Sequence, residues 1–219
     1  MTTRFIIFLS LFLIAGQVYA QQLIPFDYTS EEENPFIKEN DSFKYYVSSG
    51  DTSNIVGLNE ENNFYKLLNK SRKVIAEGNY IMDGEKYLQT GKWIERFDNG
   101  KVKLTGVYRR NKPIGTWQEF YNTGKVKTIY NYAIVVNERG LTNYCLSGTW
   151  QEFYPDGKLK VNGFYTANET RVSDTIVVED PITERKVNKV SYRSEYTPAK
   201  TGTWEYYSEN GELDKKEDF

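Results

Sequence analysis

The chain has 219 residues, 39% hydrophobic and 26% charged, so it is neither disordered by composition nor a bundle of membrane helices. It lacks histidine and holds one cysteine, Cys145, which excludes a Ser-His-Asp triad, HExxH zinc sites, an internal disulfide and a CxxC redox pair. A formal net charge of −2 does not suit a general nucleic-acid binder, because phosphate binding needs a positive footprint.

Residues 1–20 carry one base, Arg4, then an apolar run from Phe5 to Ala15, then Gln17-Val18-Tyr19-Ala20 with small residues one and three places before Gln21. That order predicts a secretory signal peptide cleaved after Ala20, and hence a secreted or periplasmic protein. The apolar run is shorter than the roughly 18–20 residues that span a bilayer, and the mature chain keeps no transmembrane span. Residues 21–62 are acidic, with Glu31-Glu32-Glu33, and read as a leader or linker tied down by Phe43 to Val47.

From residue 63 to 219 the chain repeats itself. Gly91-Lys-Trp93 leads to Asn99-Gly100-Lys101 and Gly106-Val-Tyr108; Gly115-Thr-Trp117 leads to Thr123-Gly124-Lys125. Gly148-Thr-Trp150 leads to Asp156-Gly157-Lys158 and Gly163-Phe-Tyr165; Gly202-Thr-Trp204 leads to Asn210-Gly211. A degenerate copy precedes them at Tyr65, Lys73-Val74 and Gly78-Asn-Tyr80. Each copy reads as a β-hairpin closed by a type I′ turn on Asn-Gly or Asp-Gly, with Thr123-Gly124 a poorer version. Counting outward predicts Asp98 opposite Lys101, Phe97 opposite Val102, Glu95 opposite Leu104 and Trp93 opposite Gly106. A tryptophan laid across that glycine would pin register. Two insertions are expected, 133–147 and 166–201, the second an extra hairpin with a loose turn. The last strand, Asp214 to Phe219, is polar and suits a cap. The fold class is therefore all-β: tandem antiparallel hairpins forming an elongated, twisted meander sheet.

The unit G-x-W-x-x-[FY]-x-x-x-G-K-[VL] followed by G-x-Y resembles the bacterial variant of the MORN (membrane occupation and recognition nexus) repeat, over Gly91–Tyr165 and Gly202–Leu213. The resemblance implies a hairpin scaffold with a non-enzymatic, partner-binding role, and some relatives are labelled antitoxins. Short Gly-x-Trp hairpins also resemble choline- and glucan-binding repeats, which implies a possible glycan ligand on cell walls.

The candidate binding residues are Trp93, Trp117, Trp150 and Trp204, with Tyr121 and Tyr154 beside them; their alternative role is a core. Glu95, Glu119 and Glu152 recur two places after tryptophan, either as a binding row or as structural charge pairs. They are poor catalytic acids, because acid–base pairs need two different environments. Lys101, Lys125 and Lys158 form either an anion stripe or a row of solvated turn positions. Cys145 reads as a small strand residue. Asn40, Asn69 and Asn168 head glycosylation sequons. No catalytic residue, cofactor or metal is expected. The leading expectation is an exported protein that binds a protein partner; the second is a polysaccharide-binding module.

Overall fold

The computed structural model describes residues 43–47, 54–69, 71–84, 86–137, 140, 142–179 and 185–219. The expected signal peptide at residues 1–20, the acidic run at residues 31–33 and Asn40 lie outside them. The described residues form one open antiparallel sheet of 12 strands in sequential order, without helix. The strands are β1 (Lys44–Val47), β2 (Asn54–Asn59), β3 (Phe64–Asn69), β4 (Val74–Asp83), β5 (Lys86–Arg96) and β6 (Val102–Arg109). They continue as β7 (Lys112–Phe120), β8 (Val126–Val136), β9 (Thr142–Phe153), β10 (Leu159–Glu179), β11 (Lys186–Tyr207) and β12 (Leu213–Asp218).

The repeat copies are the hairpins β3–β4, β5–β6, β7–β8, β9–β10 and β11–β12. Their turns differ from the type I′ expectation. A type I′ turn needs positive φ at both central residues, yet at Asn99-Gly100 only the glycine has it, at 82°. Gly100 N–H donates to Phe97 C=O at 2.8 Å, and Phe97 N–H donates to Lys101 C=O at 2.9 Å. This is a type I turn followed by a glycine bulge, and it closes a three-residue loop. The loop shifts the pairing by one, so Arg96 faces Val102. An irregularity one step on, at Lys103, restores Glu95 opposite Leu104 and Trp93 opposite Gly106. Phe97 and Asp98 thus lose their expected partners, while the pairings further along stand. The same hydrogen bonds close the turns at Tyr121–Lys125, Tyr154–Lys158 and Ser208–Glu212. Asn69–Lys73 repeats them with Arg72, at φ 58°, in the glycine's place. A turn of type I′ dihedral signs does occur, at Arg110-Asn111 (φ 51° and 63°), between β6 and β7.

The sheet runs through the boundary at residue 63, since β1 and β2 pair with each other and β2 pairs with β3. Residues 133–147 lengthen the connection between β8 and β9, which pair out to Val136↔Thr142. Residues 166–201 lengthen β10 and β11, whose pairing runs unbroken from Phe164↔Thr201 to Glu179↔Lys186. The expected extra hairpin is therefore the continuation of two repeat strands.

Candidate interaction surface

Trp93, Trp117, Trp150 and Trp204 stand on β5, β7, β9 and β11. Each indole could lie on the glycine of its own hairpin, as register alone suggests. It lies instead over the preceding strand. A methyl group added to Gly78 would sit 2.7 Å from Trp93 Cε3, one on Gly106 2.1 Å from Trp117 Cδ2, and one on Gly163 2.2 Å from Trp204 Cδ2. The cause is a second bulge. Gly91, Gly115 and Gly202 hold φ of 67°, 64° and 64°, and the register between consecutive hairpins shifts beside each of them. The extra residues lift the strand and aim the ring backwards. Gly-x-Trp is thus a lock between hairpins, and the glycine thirteen residues after one tryptophan receives the next.

Where that glycine is missing the lock is shallower. Tyr130 stands under Trp150, with ring centroids 5.5 Å apart and planes 30° apart. Trp93, Trp117 and Trp204 are each 2% exposed, whereas Trp150 is only half-buried. An open stripe of four tryptophans is therefore not what the sheet presents.

Ring contacts join Tyr65, Trp93, Tyr108, Trp117, Tyr132, Tyr130, Trp150, Tyr165, Trp204 and Phe219 in one line, with centroids 4.9 to 6.3 Å apart. Tyr108, Tyr132, Tyr165 and Phe219 each follow a tryptophan by fifteen residues; the repeat read from the sequence included this position at Tyr108 and Tyr165 and missed it at Tyr132 and Phe219. Burial pushes the phenols of Tyr65, Tyr108, Tyr130 and Tyr132 far above their usual pKa.

The glutamates are tied to this spine. Trp93 Nε1 donates to Glu95 at 3.3 Å and Trp150 Nε1 donates to Glu152 at 3.0 Å. Lys103, Lys127 and Lys160 reach Glu95, Glu119 and Glu152 at 3.3, 3.4 and 3.5 Å. Those lysines sit at the restoring irregularities, which bring Lys103 to Glu95 where simple alternation would place it on the opposite face. All three carboxylates are held by a lysine in the same way, which is unsuited to a division into acid and base; Glu119 lacks the indole donor, since Trp117 Nε1 donates to Ile114 C=O at 3.2 Å. Among the described residues no cluster of three or more His, Cys, Asp or Glu could hold a metal. Cys145 is buried, and burial raises its thiol pKa.

Tyr121 and Tyr154 also act between copies. Their hydroxyls donate to Phe153 C=O and Tyr207 C=O, each at 2.7 Å. The turn lysines do likewise: Lys73 reaches Asp98 C=O at 3.1 Å, Lys101 Thr123 at 2.7 Å, Lys125 Asp156 at 2.8 Å and Lys158 Glu209 at 2.7 Å. They are neither an anion stripe nor merely solvated. The fourth copy carries Glu212 and Glu217 where the others carry the turn lysine and, Tyr130 apart, the receiving glycine. It lacks the two groups that serve a following hairpin.

The surface left open is the ribbon. Among the described residues, β10 beyond Tyr165↔Gly148 pairs with β11 alone, and β11 meets the last strand from Gly202 onward. Residues 166–179 and 186–199 therefore form a two-stranded arm roughly 45 Å long at about 3.3 Å per residue. Alternation puts Ile176 and Val178 on one face and Val177, Val190 and Tyr192 on the other, all substantially exposed. The candidate binding residues named from the sequence lie in the repeats; of the residues singled out there, the sequon Asn168 lies in the arm. The β-branched run Thr175–Val178 and the stretch Lys186–Tyr192 had marked an extra hairpin in the sequence, but not an interaction surface.

A family model described as MORN repeat variant matches residues 113–133, 146–167 and 200–219. The copies beginning at Tyr65 and Trp93 lie outside the matches yet share the same turn bonds and interlocks. No curated protein and no solved structure gave a significant match. Repeats of this kind often serve as protein- or membrane-binding scaffold modules and are generally non-enzymatic. No helix among the described residues is long and apolar enough to cross a membrane, which says nothing about membrane-crossing strands. The three family matches are seated on the same interlocked hairpins, so residues 113–133, 146–167 and 200–219 are repeats of the MORN variant type.

Proposed function

We propose that this protein is an exported, non-enzymatic scaffold that binds a protein partner through its projecting arm. The reading rests above all on the exposure of apolar side chains on both faces of the arm, with Val177 62% exposed on one and Ile176 44% on the other. Monomers seldom leave such patches open without a partner. The repeats support it: their aromatic and charged residues are occupied in joining one hairpin to the next. Export rests on residues 1–20, and a mature chain starting at Gln21 is expected from N-terminal sequencing. Three buried tryptophans leave no continuous platform for sugar rings, so a glycan reading gains no support.

The test is capture by gentle crosslinking from the native envelope, comparing the full chain with one in which a two-residue Asn-Gly turn replaces 168–197. The shortened chain should keep its folded fluorescence and lose the partner. Equal capture by both would refute the arm's role.

A further inference from the structure

Among the described residues the arm leaves two strand edges open, and they are not equivalent. The outer edge of β11 carries Lys186, Lys189 and Arg193, and its Pro198 has no N–H to give. β10 from Thr166 to Glu179 has no proline and one cation, Arg171. A two-stranded ribbon is marginal alone and gains from a third strand. β10 is therefore the edge that invites one.

The sequence of β10 says which strand fits. In an antiparallel pair, facing residues both turn N–H and C=O toward each other, or both turn them away. A strand can therefore pair with its own copy only about a centre that falls on a residue. Centred on Thr175, Arg171 faces Glu179 of the other copy and Glu179 faces its Arg171. Val172 then meets Val178, and Ser173 meets Val177. Both strands bring their charges to the contact twice over, and no like charges face each other. Centring on Asp174 sets Asp174 against itself and Glu169 against Glu179. Centring on Ile176 carries Arg171 past Glu179.

The surroundings are compatible. The Arg171 guanidinium lies 4.3 Å from the Tyr192 ring centroid of its own arm. Asp174 is held by Arg193 at 2.8 Å, which offsets its approach to the second Asp174. Glu179 has Lys186 opposite it within the hairpin.

We propose that two copies of this chain associate through β10, centred on Thr175, into a four-stranded sheet ordered β11-β10-β10-β11. The proposal rests on the reading of the arm as the association element and names a second copy as one occupant. Cross-strand ion pairs stabilise, and like charges directly opposite destabilise. Charge reversal should therefore switch the dimer.

Sedimentation equilibrium of the full chain and of Arg171→Glu and Glu179→Arg variants tests this, with circular dichroism confirming the fold. The wild type should dimerise. Each variant alone should associate at least tenfold more weakly, because two facing pairs become Glu–Glu or Arg–Arg. An equal mixture should recover a heterodimer, since every facing pair is again opposite in charge; loss of folding cannot produce that recovery. A monomeric wild type, undiminished dimers of either variant, or no recovery in the mixture would each overturn the proposal. If the arm-deleted chain still loses a different partner in crosslinking, only the self-pairing fails. If it keeps that partner, the reading of the arm fails too.

Discussion

An alanine at position 106 would bring its methyl 2.1 Å from the Trp117 ring, and at position 163 it would come 2.2 Å from Trp204. Neither ring can move without uncovering the next hairpin. Gly106→Ala and Gly163→Ala should each destabilise by roughly 2–3 kcal/mol in urea titrations, the upper range for overpacking, and should shift tryptophan emission to the red. Arg72 offers the opposite case. It holds φ 58° where four other turns have glycine. Arg72→Gly should stabilise by up to about 1 kcal/mol in the same titration, since a side chain in the left-handed region costs about that much. The pairing of Trp93 with Gly106 was legible from the repeat. The strand on which the ring rests was not, because the bulge at Gly91 depends on how one hairpin meets the next. Position 130 shows the consequence, since a tyrosine there keeps Trp150 half-buried.

At the scale of the hairpin, the turn glycine and its position seven residues after tryptophan were legible, but the turn type was not. Asn-Gly suits a type I′ turn and a type I turn with a glycine bulge alike. Three-residue closure wins, and the strand returns to register only by spending Lys103, Lys127 or Lys160 at an irregularity. That displacement brings these lysines to the glutamates, which alternation alone would forbid. The turn lysines join hairpins at the opposite rim from the arm. Removing one such bond, as in Lys125→Met or Tyr154→Phe, should cost about 0.5–1.5 kcal/mol each in chemical unfolding. The Lys125 cost belongs at the low end, because its amine is exposed.

Across the whole molecule one aromatic line ties the sheet from Tyr65 to Phe219. Its tyrosines make the fold sensitive to base. Burial raises the folded pKa of Tyr65, Tyr108, Tyr130 and Tyr132 above the unfolded value near 10. The unfolded chain therefore releases these protons first as pH rises. Their contribution is fully present below about pH 10 and is lost progressively above it. The tyrosinate absorbance of these four should appear together with unfolding, not before it. The hairpin array was readable from four tryptophans in one frame. The hairpin inserted at 166–201 was readable too, but not that its strands continue two repeat strands without a break, because a search for motifs cuts those strands short. The account divides the molecule between an aromatic spine closed within the sheet and an arm left open for association. Acrylamide quenching of the folded chain tests that division most directly. Blue-shifted emission is expected, with quenching confined to a minor component that disappears in Trp150→Phe. Ready quenching of all four tryptophans in the folded protein would contradict it and return binding to the stripe.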